Sequence, residues 1–271
     1  MVQCQSCGHV YQNPRPPLSL SHRLYPQNYY TLTGRHTQKS SRLIAMAKKI
    51  VTDRRLDFFQ RQLSLGCNLL EIGCGDGDLL INLKRHYPLS QFTGIDLALS
   101  DATKTRCKNQ GIRLIKSSVE TIILPKKTYD IIIMNQVIEH LWKPALVLKK
   151  LRRSLKKDGH LSIETPNLDG YDRKIFSDYW GGYYYPRHLN LFSGSSLTRL
   201  LNQTGYRIIM QKKLVAPINW IFSFHAWFKS DSFTDSNPVC LACFSLLDFL
   251  AIRLGLTTSN QKIIASVKPR G

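Results

Sequence analysis

The stretch Leu69-Leu-Glu-Ile-Gly-Cys-Gly-Asp-Gly-Asp78 constrains the fold more than any other part of the chain. Its apolar run, Leu69 to Ile72, reads as a buried strand. The run breaks into Gly73, Gly75 and Gly77 at alternate positions, and Leu79-Leu-Ile-Asn-Leu83 then opens a helix. A strand, a glycine turn and a helix let backbone approach a nucleotide-like ligand closely, because no Cβ stands in the way. A second strand, Gln91 to Asp96, ends in a carboxylate about 20 residues downstream, where an acid can hold a ribose diol.

Glycine spacing separates the cofactor classes that use this geometry. A dinucleotide site asks for G-x-G-x-x-G, with a pyrophosphate on the helix N-terminus. Here the third glycine comes one residue early and Asp78 takes its place. Asp76 and Asp78 would also repel a pyrophosphate. The pattern Glu71-x-Gly73-x-Gly75-x-Gly77 instead resembles motif I of class I S-adenosylmethionine-dependent methyltransferases. That cofactor carries a sulfonium and an ammonium and no phosphate, so an acid-rich loop suits it. The alternative is a tight turn with no ligand.

Other stretches extend the resemblance over roughly residues 1 to 210. Asn135-Gln-Val-Ile-Glu-His-Leu141 resembles the V-L-E-H-L stretch after the fourth strand of these enzymes. Leu151-Arg-Arg-Ser-Leu-Lys-Lys-Asp-Gly-His160 resembles their L-R-x-L-K-P-G-G turn, with Lys157 and Asp158 replacing Pro-Gly. Ile163-Glu-Thr-Pro-Asn167 resembles the end of their fifth strand. Trp180 to Phe192, with Pro186-Arg-His-Leu189, resembles a W…P-x-H-L segment of a ubiquinone-biosynthesis-like and natural-product branch. Members of that branch often begin with two C-x-x-C pairs, and Cys4-x-x-Cys7-Gly8 looks like the second.

This resemblance implies S-adenosyl-L-methionine as cofactor, held by named residues. Glu71 would support the loop, and Gly73, Cys74, Gly75 and Gly77 would meet the methionine portion. Asp96 would take the ribose hydroxyls beside Leu97. Ser118 and Val119 would flank the adenine, and Asn135 would line the other side. Many relatives carry an acid where Ser118 stands; a hydroxyl can still accept that hydrogen bond. Methyl transfer to an oxygen or nitrogen bearing a proton asks for a base near neutral pH, which histidine supplies. His140 and His188 qualify equally by position, and either could instead order a loop through hydrogen bonds. No metal is expected, because a sulfonium leaving group is already activated.

Composition narrows the partners. The 271 residues carry a net charge of +20, which suits a solvated basic surface or an anionic partner. A small or lipid-linked, anionic acceptor fits. No RNA-binding signature is present, so no nucleic acid is expected. Seven cysteines without a signal peptide suggest reduced thiols and a cytoplasmic protein, with peripheral membrane contact or a homodimer as open options. No uncharged apolar run reaches the roughly 18 to 20 residues of a membrane span.

The expected architecture is α/β: a doubly wound, Rossmann-like, seven-stranded and mostly parallel sheet with an N-terminal extension and helical insertions. Residues 1–35 form the extension, with half a zinc knuckle at Cys4 and Cys7 and the Pro-rich connector Asn13 to Pro17. Residues 36–271 form the main domain, opening with a helix from about His36 to Leu65. The spacing predicts a helix over Pro144 to Lys156, closed at Asp158-Gly159, and a strand from His160 to Glu164. Residues 168–192 form an aromatic insertion, read as a lid over the acceptor, a small aromatic core, or both. Residues 215–260 form a second insertion. Its helix Val239 to Leu254 is apolar almost all round, so it is buried, paired with a second subunit, or lying in a membrane interface. Burial or pairing is the leading expectation. A non-catalytic basic binding module and an NAD-dependent oxidoreductase are the rival functional classes.

Overall fold

The computed structural model describes residues 1–17, 56–229 and 238–268. It opens with strands β1 (Val2–Gln3) and β2 (Val10–Tyr11), paired antiparallel. The expected first helix falls largely outside the described residues. Its described end is a 3-10 turn, Asp57–Phe59, running into α1 (Gln60–Leu65). Leu56, Phe59 and Leu63, at helical spacing in the sequence, are all buried.

Alternating units follow. β3 (Asn68–Ile72) leads through the glycine turn to α2 (Asp78–His86), and β4 (Gln91–Asp96) to α3 (Asp101–Lys108). Ser100 caps α3 by accepting from the Thr103 N–H. Next come β5 (Arg113–Lys116), β6 (Tyr129–Asn135) and α4 (Pro144–Ser154). Then β7 (Leu155–Pro166), α5 (Tyr171–Phe176), β8 (Asn190–Leu191), α6 (Gly194–Gln203) and β9 (Tyr206–Leu214). Two helices, α7 (Pro217–Phe228) and α8 (Pro238–Arg253), precede the last strand, β10 (Asn260–Val267).

Seven strands form one mixed sheet in the order β5-β4-β3-β6-β7-β10-β9. β3, β4 and β5 pair in parallel, while β9 and β10 pair antiparallel. This is the expected doubly wound sheet, and its ligand edge is where the C-terminal ends of the parallel strands lie. A three-stranded sheet, β1-β2-β8, joins the N-terminal segment to the aromatic insertion. The N-terminal pairing was not foreseen, because two-residue strands leave no periodic signal.

Two compact units divide the chain: Met1–Leu18 with Met134–Arg152 and Leu161–Gly271, and Ser19–Ile133 with Arg153–His160. The second is packed around Leu69, Leu70, Ile72, Leu80, Phe92, Ile95 and Ile131, all nearly inaccessible to solvent. The first contains an aromatic core of Phe176, Trp180, Leu191, Trp220, Ile221 and Phe244. Phe176, Trp180 and Leu191 of the aromatic insertion are buried in this core, while Tyr179 and Tyr185 stay exposed.

Helix α4 stops two residues before its expected end, and β7 begins at Leu155 rather than His160. The N–H groups of Lys127 and Thr128 donate to the carbonyls of Arg153 and Ser154. Those bonds draw the chain into an extended path before Asp158-Gly159 is reached.

One packing constraint is sharp. A Cβ added at Gly94 in β4 would lie 2.6 Å from Cys74 Sγ, 2.7 Å from Leu114 Cδ2 and 2.9 Å from Leu80 Cδ1. Gly94→Ala is expected to lower stability by about 1–3 kcal/mol, read from chemical denaturation. A variant as stable as the parent would show that the β4 surface is looser than this packing.

Candidate active site

In the unit that holds β3 and β4, the turn after β3 folds back onto the end of β4. Gly73 N–H and Cys74 N–H both donate to the Ile95 carbonyl, and Gly77 N–H donates to the Cys74 carbonyl. Gly75 N–H donates to Asp96 Oδ2 at 2.8 Å, while Ala98 N–H donates to Asp96 Oδ1 at 3.0 Å. One carboxylate thus holds the glycine turn and the start of the next loop. Burial raises the Asp96 pKa above its ordinary value, and the N–H groups of Ala98 and Gly75 oppose that shift.

Gly75 and Gly77 adopt positive φ, a conformation that costs an L side chain free energy. Their surroundings differ. A Cβ at Gly77 would meet Cys107 Sγ at 2.6 Å, whereas one at Gly75 would meet nothing within 4 Å. Gly77 is glycine for packing; Gly75 faces open space of the kind a ligand fills. Arg106 donates to Asp78 Oδ1 at 2.9 Å and also to the Asp76 carbonyl, which ties α3 to the turn. The donor set is acidic, with the Asp96 carboxylate presented by the backbone. That fits a cofactor bearing positive charge and ribose hydroxyls.

The remaining predicted residues of this unit fall as follows. Glu71 and Cys74 are buried, Gly73 and Leu97 exposed. Burial raises the Cys74 thiol pKa, assisted by the Glu71 and Asp96 charges, so the group stays a neutral thiol. Ser118 follows β5, and its Oγ accepts from the Glu120 N–H at 3.1 Å, with Val119 buried beside it.

The other unit brings together residues 135 to 140 and residues 165 to 188. Asn135 ends β6, and its Oδ1 is buried without a hydrogen-bond partner. Gln136 next to it has φ of 54°, a left-handed conformation of the kind that collects at functional loops. A 3-10 turn, Ile138–His140, follows. His140 Nδ1 lies 3.0 Å from the Arg187 carbonyl, and His188 Nδ1 lies 2.8 Å from the Gly182 carbonyl. A carbonyl only accepts, so both Nδ1 atoms carry the hydrogen and both Nε2 atoms carry the lone pair. The two rings stand 4.8 Å apart. The two predicted histidines, 48 positions apart by subtraction of their numbers, are neighbours.

Glu139 joins them, and sequence reasoning assigned it no role. It is fully buried; its Oε2 accepts from Thr165 Oγ1 at 2.9 Å, and its Oε1, without a hydrogen-bond partner, lies 4.0 Å from His188 Nε2. Burial pushes Glu139 up to about 8 and the histidines down, His140 to about 4 and His188 to about 3. His188 is depressed further by His140. All three groups are therefore neutral near pH 7, with the proton on the carboxyl. The cluster is equipped to accept a proton at Nε2. The donor atoms of the three lie within 4.8 Å of one another, so a divalent cation could also occupy this donor set.

Around the N-terminal cysteines, Gly8 N–H donates to the Cys4 carbonyl and Cys4 N–H to the His9 carbonyl. Hydrogen bonds from Cys7 lower the Cys4 pKa. Among the described residues, no third His, Cys, Asp or Glu joins them at ligand spacing.

Comparison with known proteins places these features in context. Residues 41–211 match a family model described as Methyltransferase domain. The chain is 26% identical over 183 residues to a probable S-adenosylmethionine-dependent methyltransferase of Mycolicibacterium smegmatis, covering 65% of each chain. It is 27% identical over 155 residues to the malonyl-[acyl-carrier protein] O-methyltransferase of Priestia megaterium, covering 56% of this chain and 53% of that one. The matched region thus spans between about half and two thirds of these relatives' length. Among solved structures, the Burkholderia thailandensis 1,6-didemethyltoxoflavin-N1-methyltransferase, determined with S-adenosylhomocysteine, superposes with a TM-score of 0.58 at 11% identity over 99% of both chains. That likeness concerns the fold.

The Glu139 environment has a measurable signature. A carboxyl whose folded pKa is about 8, above its ordinary value of 4.5, stabilises the fold most below pH 4.5 and loses that contribution as pH rises towards 8. Glu139→Gln keeps an acceptor for Thr165 and removes the ionisation. Its thermal unfolding midpoint is expected to match the parent near pH 4.5 and to rise progressively above it up to about pH 8. A pH-independent difference would show that Glu139 titrates normally.

Proposed function

The chain belongs to the methyltransferase-domain family, and we propose on that premise that it transfers a methyl group from S-adenosyl-L-methionine to a small or lipid-linked acceptor, at an oxygen. The observation that carries this reading is the Asp96 carboxylate, held by Gly75 and Ala98 N–H groups beside the open space at Gly75. The relative that is an O-methyltransferase supports oxygen as the target. Within the family, the Cys4-x-x-Cys7 turn and the Trp180 to Leu189 segment support the ubiquinone-biosynthesis-like and natural-product branch. The domain limits read from the sequence and a cytoplasmic setting complete the proposal. No helix among the described residues is long and apolar enough to cross a membrane.

The bound sulfonium supplies an activated methyl group. The chain's contribution is to hold the reacting partners in line, an effect worth up to roughly 7–11 kcal/mol. Gly73, Cys74, Gly75 and Gly77 form the turn that receives the methionine portion, and Glu71 beneath it supports the loop. Asp96 accepts from the ribose hydroxyls beside Leu97. Ser118 and Val119 flank the adenine, and Asn135 keeps the cofactor role that the family resemblance gives it. On the acceptor side, Nε2 of His188 or His140 takes the proton that the acceptor oxygen loses. Their lowered pKa values leave both imidazoles unprotonated in the neutral range and weaken them as bases, so a proton taken at Nε2 is readily passed on.

Calorimetric titration with S-adenosylhomocysteine, with NADH as control, tests the cofactor assignment. Micromolar binding of the homocysteine compound alone is expected. Asp96→Ala should weaken it at least about tenfold, the scale of hydrogen bonds to a charged group. Gly75→Ala places a Cβ in the open space, so it should weaken binding while leaving the unfolding midpoint within about 5 °C of the parent. NADH binding, or unchanged affinity in Asp96→Ala, would overturn the assignment.

A further inference from the structure

Helix α8 does not behave as its composition suggests. A helix apolar all round is expected to be buried. Here one face is buried, through Phe244, Asp248 and Ala251, and the rest is not. Leu246 is 57% exposed, Leu250 48% and Leu254 79%, with Cys243, Leu247 and Phe249 exposed beside them. At three- and four-residue spacing, Cys243, Leu246, Leu247, Leu250 and Leu254 make a continuous stripe. The end of α7 also exposes Trp227 and Phe228. Phe228 stacks on Phe224 at 5.9 Å, and Phe224 on Phe244 of α8 at 5.4 Å.

This face is held in one orientation. Asp248, the single acid of α8, accepts from Ala216 N–H at 2.6 Å and from Trp220 Nε1–H at 2.9 Å. Tyr171 Oη is 3.5 Å from the same carboxylate. Phe244 stacks on Trp220 at 5.6 Å. These bonds set the rotation of α8 about its axis, so the outward stripe is a consequence of the fold.

Charge selects the occupant. No acidic side chain is exposed among the described residues of α7 and α8. Cations rim the stripe: Arg253 lies over the Phe249 ring at 5.1 Å, Lys213 Nζ donates to the Gly255 carbonyl beyond the end of α8, and Lys229 follows α7. Arginine and lysine stems lie along apolar surface while their charges reach the wet side. Two copies of a chain carrying +20 repel each other, whereas an anionic surface attracts it. At about 1.5 Å per residue, the 16 residues of α8 are too short to span the roughly 30 Å hydrocarbon layer, but long enough to lie in its interface.

We propose that the outward stripe of α8, with Trp227 and Phe228, docks this protein on the surface of an anionic phospholipid bilayer. The surface stands independently of the methyl-transfer reading, and it would bring the chain to the place where lipid-linked acceptors reside.

Flotation of the full-length chain with vesicles tests the proposal. Binding is expected to vesicles of 70% phosphatidylcholine and 30% phosphatidylglycerol in 0.1 M NaCl, to be weak on pure phosphatidylcholine, and to fall several-fold in 0.5 M NaCl. Leu246→Glu with Leu250→Glu should lower the bound fraction at least about tenfold. Ile123→Glu, at a 93% exposed apolar residue of the other unit, should leave it unchanged. Circular dichroism and the unfolding midpoint check that the double variant is folded. Failure of the parent chain to bind anionic vesicles would overturn the proposal without recourse to any variant. So would equal binding by the folded double variant. A parent dimer that the double variant dissociates, with no vesicle binding, would assign the face to a second copy instead.

Discussion

The glycine turn after β3 is tied back to the end of β4, and much of the rest follows from that constraint. The Ile95 carbonyl accepts from two consecutive N–H groups of the turn, and the next residue's carboxylate accepts from Gly75. Backbone donors that would otherwise need water or ligand are satisfied within the loop. The turn is thereby shaped before any ligand arrives. Preorganisation of this kind lowers the entropy lost on binding.

The titratable cluster of the other unit obeys a different constraint. Glu139, His140 and His188 are kept in place by carbonyls and by one hydroxyl. Burial then acts in opposite senses on acid and base and leaves all three neutral. Neutrality is what a proton acceptor at pH 7 requires. A nearby unopposed carboxylate would have raised the histidines instead. Asp248 and Asp172 show the same economy elsewhere in that unit. Each is buried, raised in pKa, and occupied by indole N–H donors, from Trp220 and Trp180 respectively. These acids serve as anchors for aromatic helices.

Legibility in the sequence followed the range of the interaction. Strand β6, Tyr129 to Asn135, is a hydrophobic run bounded by polar residues, which is a local signal. The Ser193 cap of α6 is equally local, and its capping box with Ser196 is present. Helix α4 ends two residues short of Lys156, because non-local bonds from residues 127 and 128 terminate it. Glu139 carries no role of its own in the sequence pattern, although apolar Ile138 and Leu141 flank it. A carboxylate flanked by buried residues is a signal, but only the fold shows that Thr165 completes it.

The sequence by itself determined the doubly wound sheet, the glycine turn, the acid at Asp96 and the two histidines worth watching. These depend on patterns a few residues long, whose physics is local: periodicity, backbone freedom and cap chemistry. Tertiary structure alone decided that Glu139 stands beside His188, and that one apolar helix would show most of its surface to solvent. The reason is that burial is a property of neighbours distant in the chain. Composition made α8 apolar; the Asp248 hydrogen bonds and the Trp220 stack decided which side of it faces inward.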